Sequence, residues 1–238
     1  MKLTNDKQLF MPDSELWHRW GASYEKDKFK KCMEYTDEKP KRIALDIGAH
    51  IGIWSRRLSN LYEHVHCFEP VSDAIECHKR NTSTITNTTL HEHALGSREE
   101  TLEMKVIVGR GGTNSFHFNS KRSNKKAVES SADGEKTYKA KMYEHKLIPI
   151  EVKSLDSYNF SNVDFMKIDI ESHELEMLKG AVETLERCNP IIFIEDPTYF
   201  YNKKNNKSKP TGLDFLIDLG YKVGDDGYLG TYNYLAIR

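Results

Sequence analysis

Short runs that are apolar nearly throughout recur along this 238-residue chain: Arg42 to Gly48 (RIALDIG), His64 to Pro70 (HVHCFEP), Thr89 to Gly96 (TLHEHALG), Val163 to Glu171 (VDFMKIDIE) and Ile191 to Asp196 (IIFIED). Strands that do not alternate apolar with polar are buried on both faces, which a parallel sheet between two helical layers provides. Between the first two runs, Ile51, Trp54, Leu58 and Leu61 recur at three- and four-residue spacing and mark one face of a helix. Leu175, Leu178, Ala181, Val182 and Leu185 do the same over 173–187, where Asn189-Pro190 stops them. A third helix is expected from Leu213 to Leu219, ending at Gly220, and the closing segments YKVG and YNYLAIR read as a terminal antiparallel hairpin. The expected class is α/β, a mainly parallel sheet with helices on both faces.

The spacing predicts a single domain over 1–238, with a helical N-terminal cap at 1–40 and a core at 42–238. Leu16, Trp17, Trp20, Tyr24 and Phe29 suggest one or two helices that pack on the sheet or cap the site. An insertion covers about 101–153: TLEMKVIV reads as an extra strand, GRGGTNS (109–115) as a loop, and the Lys-, Ser- and Glu-rich 119–141 as a solvated segment. KKNNKSKP at 203–210 reads as a second solvated break.

The 35 Lys and Arg residues nearly cancel the 36 Asp and Glu, for a formal charge of −1, so no global field draws in nucleic acid or a membrane surface. Cys32, Cys67, Cys77 and Cys188 form no CxxC pair and no zinc-type spacing with His. With a polar N-terminus lacking an apolar signal segment, a soluble cytoplasmic protein in a reducing compartment is expected, of undefined oligomeric state.

Asp46-Ile-Gly48-Ala49-His50-Ile-Gly52 lies where the first strand meets the first helix, and its glycines suit a sharp turn that comes close to a ligand. The G-x-G-x-x-G of a pyrophosphate site is missing, which argues against a nucleotide-cofactor oxidoreductase. An acidic residue leading the turn instead suits a cationic ligand without a pyrophosphate. S-adenosylmethionine (SAM) is such a ligand, and Asp46 would face its ammonium side. Glu69, followed by Pro70 at the tip of the second strand, can accept both ribose hydroxyls. His93, Ala94 and Leu95 close the third strand, where they would flank the adenine.

These residues, with Met166 to Glu174 (MKIDIESHE), resemble the FkbM family of SAM-dependent methyltransferases. The family phrases D-V-G-A-N-I-G, F-E-P, K-I-D-V-E-G-x-E and L-x-G-A stand here as DIGAHIG, FEP, KIDIESHE and MLKGA over roughly 42–196. His50 replaces the family's Asn, and Ser172 replaces its Gly. The resemblance implies a Rossmann-like class I methyltransferase fold, SAM as cofactor, and O-methylation of a sugar, glycan or small metabolite, so the expected partner is a small-molecule or carbohydrate acceptor.

Methyl transfer from a sulfonium needs an aligned acceptor oxygen and a base. Asp169, at the tip of the fourth strand, is the leading catalytic candidate, with Glu171 and His173 next to it as further bases. The alternative for His173 is a locally bonded helix start. Asp169, Glu195 and Asp196 at neighbouring strand tips also suggest Mg²⁺, as a less favoured variant. Two other functional readings stay open: an RNA methyltransferase that uses Lys121, Arg122, Lys125 and Lys126 on phosphates, and a non-catalytic SAM-binding module.

Overall fold

The computed structural model describes residues 1–13, 21–107, 145–205, 209–223 and 232–238, together with the backbone of 125–130 and 136–140. The chain opens with β1 (Lys2–Leu3) and β2 (Phe10–Met11), which pair antiparallel, and continues into α1 (Lys26–Glu34). β3 (Ile43–Ile47), α2 (Ile53–Leu58), β4 (His64–Phe68), α3 (Ser72–Asn81) and β5 (Thr88–His91) follow as successive crossover units. β6 (Ala94–Leu95), β7 (Glu100–Ile107), β8 (Lys125–Ser130), β9 (Lys136–Ala140) and β10 (His145–Lys153) form the middle of the chain. The last part holds β11 (Val163–Ile168), α4 (Glu174–Lys179), α5 (Val182–Cys188), β12 (Ile191–Glu195), α6 (Pro197–Asn205), α7 (Gly212–Asp218) and β13 (Asn233–Ala236).

The main sheet has the order β13-β12-β11-β3-β4-β5, parallel throughout except for β13, which runs antiparallel to β12. β4 lies on one side of β3 and β11 on the other, so the strand order reverses at β3. In open parallel sheets such a reversal leaves a crevice outside the strand C-termini, where ligands bind. Side chains alternate between two apolar layers. Leu45, Ile47, Met166, Ile168, Ile192 and Ile194 face one core with Met177, Leu178, Leu185 and Leu213 from α4, α5 and α7. Ala44, Val65, Phe165, Phe193 and Leu235 face the other, with Trp54 of α2 and Cys32 of α1. Helices thus cover both faces, as expected. No helix among the described residues is long and apolar enough to cross a membrane.

Several elements differ from the sequence reading. The helix expected over 173–187 is two helices, because the backbone of Gly96 crosses at Gly180: a Cβ on Gly180 would stand 2.0 Å from the Gly96 carbonyl oxygen. Asp156 seals the break, accepting from Glu183 N and Thr184 N at 3.1 and 2.8 Å while its own amide donates to Gly180 O. The third apolar run also divides. β5 stays with β4, whereas Ala94 and Leu95 leave to pair with Val152 and Lys153 of β10.

β7, the extra strand expected at TLEMKVIV, joins β10 and β6 in a second sheet, and β8 and β9 form an antiparallel pair within the segment read as solvated. The loop expected at 109–115 lies outside the described residues, as do Leu16, Trp17 and Trp20. The N-terminal region described contributes the β1–β2 pair as well as α1. Asn81 anchors that pair, accepting from Phe10 N and donating to Phe10 O. At the other end, the described residues of YKVG contribute a single bridge, Lys222 to Ile237, and β13 takes β12 as its partner. The 203–210 break begins inside α6, which Asp196 caps.

Candidate functional site

The turn after β3 is held by its neighbours. Gly48 N and Ala49 N both donate to Phe68 O at 3.0 Å, which ties the turn to the end of β4. Gly48, His50 and Gly52 all have positive φ, at 80, 47 and 87°. Glycine is required at 48 on two counts: the left-handed backbone, and a Cβ that would stand 2.0 Å from the Asp169 carbonyl oxygen. The turn of the first strand therefore rests directly on the tip of β11.

A buried polar chain runs beneath it. Alternation along β3 and β11 sends Asp46 and Lys167, paired across the strands, to the α2 side of the sheet. Asp46 is fully buried, and its Oδ2 accepts from Ser55 Oγ at 2.6 Å. Ser55 Oγ also lies 2.9 Å from His78 Nε2, which leaves the His78 N–H as donor. Burial holds His78 neutral, its pKa lowered to about 4 although Asp46 opposes the shift. Asp46 Oδ1 has no hydrogen-bond partner and faces Lys167 Nζ at 3.5 Å. Lys167 donates to Gly48 O at 2.7 Å and lies 3.6 Å from Asp169 Oδ2. Burial works against its charge, but Asp169 and Asp46 outweigh that and raise its pKa.

Glu69 stands at the tip of β4, with Oε2 accepting from His50 N and Oε1 from Val71 N, each at 2.9 Å. Each carboxylate oxygen keeps a second acceptor site for a ligand. Burial pushes the Glu69 carboxyl up to about 7, against the two amides. The same burial takes His50 down to about 4. Pro70 separates Glu69 from α3, and Glu69 N donates to His91 O, so the ends of β3, β4 and β5 meet here.

On the other side of the crevice, burial raises the carboxyl of Asp169 while Lys167 opposes it. Glu195 at the tip of β12 is raised to about 8 by burial, with Asp169 adding to the shift. Glu25, the residue before α1, adds its charge to both; it accepts from Trp54 Nε1 at 2.9 Å and pairs with Lys28 at 2.6 Å.

Glu171 acts by charge on Tyr24 together with Glu25, Asp169 and Glu195, whereas His93, Ala94 and His173 turn elsewhere. His93 Nδ1 lies 3.0 Å from Ala94 O and its Nε2 meets the Tyr158 hydroxyl, so His93 and Ala94 turn toward the second sheet. His173 precedes α4 and is buried, with Nε2 3.3 Å from where a Gly96 Cβ would be. Glu171 sits on the intervening loop with φ 52°. Alternation along β12 also separates Glu195 from Asp196. Asp196 accepts from Tyr199 N and Leu213 N at 2.9 and 3.0 Å, on the opposite face. The three carboxylates considered for Mg²⁺ therefore do not converge, and among the described residues no group of three His, Cys, Asp or Glu is arranged to hold a metal ion.

The family model described as the Methyltransferase FkbM domain matches residues 46–223. The chain belongs to the FkbM methyltransferase domain family. It is similar to "Methyltransferase 1" of Beauveria bassiana, 21% identical over 159 residues, which cover 63% of this chain and 62% of that protein. It is also similar to the crystal structure of a methyltransferase FkbM from Methylobacillus flagellatus, at 17% identity and TM-score 0.47, over 84% of this chain and 44% of that one. A third similarity is to a putative methyltransferase from Streptococcus mutans in complex with SAH, at 12% identity and TM-score 0.47, over 88% and 94% of the two chains. The chain thus spans less than two thirds of the length of the first two relatives.

The FkbM match begins at Asp46, so Glu25 and Lys28 reach the crevice from outside it. Within it, the family's glycine position is Ser172, at φ 77° directly after Glu171, so a side-chain-bearing residue occupies backbone space that glycine fills without strain. Ser172 N donates to Glu174 Oε1, and burial raises Glu174 to about 8. Sequence reasoning assigned no role to Lys167, Ser55 or His78. Lys167 did carry a signal, as a cation inside the apolar run VDFMKIDI. Ser55 and His78 carried none, because their contacts join separate helices to β3.

Proposed function

We infer that this protein is a SAM-dependent O-methyltransferase acting on a hydroxyl of a sugar, glycan or small metabolite. The observation that carries the reading is the pairing of Asp46, buried with one oxygen left without a hydrogen bond, and Glu69, buried at the next strand tip, at the switch point of the sheet. This donor set suits SAM, because a carboxylate beside the glycine turn meets the ammonium end and one on the adjacent strand accepts ribose hydroxyls. When bound, SAM supplies an electrophilic methyl group.

This chain's residues do the rest. Asp46 and the Gly48 turn hold the amino-acid end, and Glu69 holds the ribose. Asp169 stands at the boundary with the acceptor side and takes the hydroxyl proton as the oxygen attacks. Burial raises its carboxyl toward the range in which a base holds and releases a proton, and Lys167 opposes that rise. Glu171 and His173 flank that loop, but the His173 ring packs toward Gly96, which favours Asp169 as the base. Incubation with methyl-labelled SAM and a panel of sugars, glycans, small phenols and RNA tests the reading. Label in a carbohydrate or small hydroxyl compound is expected; label in RNA alone, or none together with no SAM binding, overturns it.

A further inference from the structure

Lys167 is an ammonium group in a place where burial disfavours charge. Its side chain is 4% exposed, inside a strand in which Val163, Phe165, Met166 and Ile168 face the apolar layers. A buried cation is tolerated only when it is paired and hydrogen-bonded. Its partners come from both sides of the crevice: Gly48 O at 2.7 Å and Asp46 Oδ1 at 3.5 Å from the β3 turn, and Asp169 Oδ2 at 3.6 Å from the tip of β11.

We propose that Lys167 is the positioning residue of the site, one cation that fixes the Asp46–Gly48 turn against Asp169 and leaves the three side chains with a single net negative charge. The inference rests on the cofactor reading above. SAM sums to one positive charge, from its ammonium and sulfonium against one carboxylate, while the demethylated product SAH sums to zero. A unit of net charge −1 therefore favours the charged cofactor over the spent one. Without Lys167, two buried carboxylates face each other, and such a pair takes up a proton.

Calorimetric titration of SAM and SAH into wild type, Lys167→Met and Lys167→Arg between about pH 6 and 9 tests this. The other charged or titratable groups near Lys167 are Cys67 and Glu69 on the β4 side, Glu195 on β12, Glu25 and Lys28 by α1, and His50 in the turn; Lys167→Arg keeps the charge they feel and is the control for their contribution. Lys167→Met is expected to bind both ligands at least tenfold more weakly near pH 6, because the tie is lost, and then, as pH rises and the shared proton leaves, to gain preference for SAM over SAH with a slope of about one linked proton, while the wild-type preference stays flat. Lys167→Arg is expected to restore most of the affinity and the wild-type slope.

A uniform loss at every pH, equal for SAM and SAH, would mark a merely structural lysine and overturn the proposal, as would unchanged affinity. If Lys167→Met fails to fold, nitrogen NMR of the lysine ammonium groups in wild type decides. A charged Lys167 ammonium protected from exchange supports the proposal, and a neutral or freely exchanging one overturns it. Absence of SAM binding by wild type would defeat the cofactor reading, while the ammonium signal still reports on the Lys167 tie.

Discussion

At the tips of β3 and β4 the carboxylates are tied down: Asp46 by Ser55, Glu69 by the amides of His50 and Val71, and the turn itself by the Phe68 carbonyl. At the tips of β11 and β12, Asp169 and Glu195 interact mainly through charge, with Lys167 and with Glu25 and Lys28 from a segment that precedes the family match. The first half is set by contacts made within one stretch of chain, residues 46–71. The second is assembled from distant parts of the chain. A strand-tip group held by contacts within one stretch of chain is preorganised, whereas one gathered from remote segments changes whenever any of those segments does.

The comparison is sharpest if the halves can be damaged separately. The largest effect is expected from Asp169→Ala, which should lower turnover of the acceptor found in the labelling screen by about 10² to 10⁴. Its SAM affinity, followed by calorimetry, should change far less; full activity in this variant would remove Asp169 as the base. Gly48→Ala breaks the division, because its methyl group meets the Asp169 carbonyl. It should destabilise the fold by ~3 kcal/mol in urea unfolding, combining a left-handed backbone with a steric clash. A wild-type midpoint would mean the two strand tips are not in contact.

Asp46→Ala removes the carboxylate of the cofactor half, together with one of the two that pair with Lys167, and should weaken SAM binding by about 2 kcal/mol, the scale of a hydrogen bond to a charged group. Glu69 adds a pH signature. Its carboxyl is raised to about 7, so it is protonated below that value and ionised above, and SAM affinity should climb from pH 6 to 8. Glu69→Gln should bind weakly with that step removed; an unchanged step would assign the titration elsewhere. The smallest effect is expected from Ser172→Gly, which relieves φ 77° and should raise stability by roughly 0.5–1 kcal/mol in thermal or urea unfolding.

Much of the first half was legible in the sequence, because its information is local. The apolar runs located β3, β4, β11 and β12, and Asp46, Gly48 and Glu69 stand at the strand ends where spacing put them. What could not be read depends on contacts between remote segments. The helix over 173–187 has an unbroken apolar face, and only the Gly96 backbone arriving from the second sheet divides it. α3 went unnoticed because its buried positions include His78 and Asn81, polar residues whose partners lie on α2 and β2. Asp196 looked like a companion of Glu195 until strand alternation put the two on opposite faces.

The crossing of Gly96 and Gly180 also limits how this molecule can be rebuilt. Two backbones touch there without side chains between them, and the short helix that starts just past Asp169 ends at that contact. A chimera that imports the β7–β10 segment of a relative brings a new path for the chain leaving Gly96. Any shift of that path is transmitted to the far end of α4, and through it to the loop carrying Asp169 and Glu171. The segment and the helix must therefore be exchanged together, as one cassette, if either is to be replaced without disturbing the loop that carries Asp169 and Glu171.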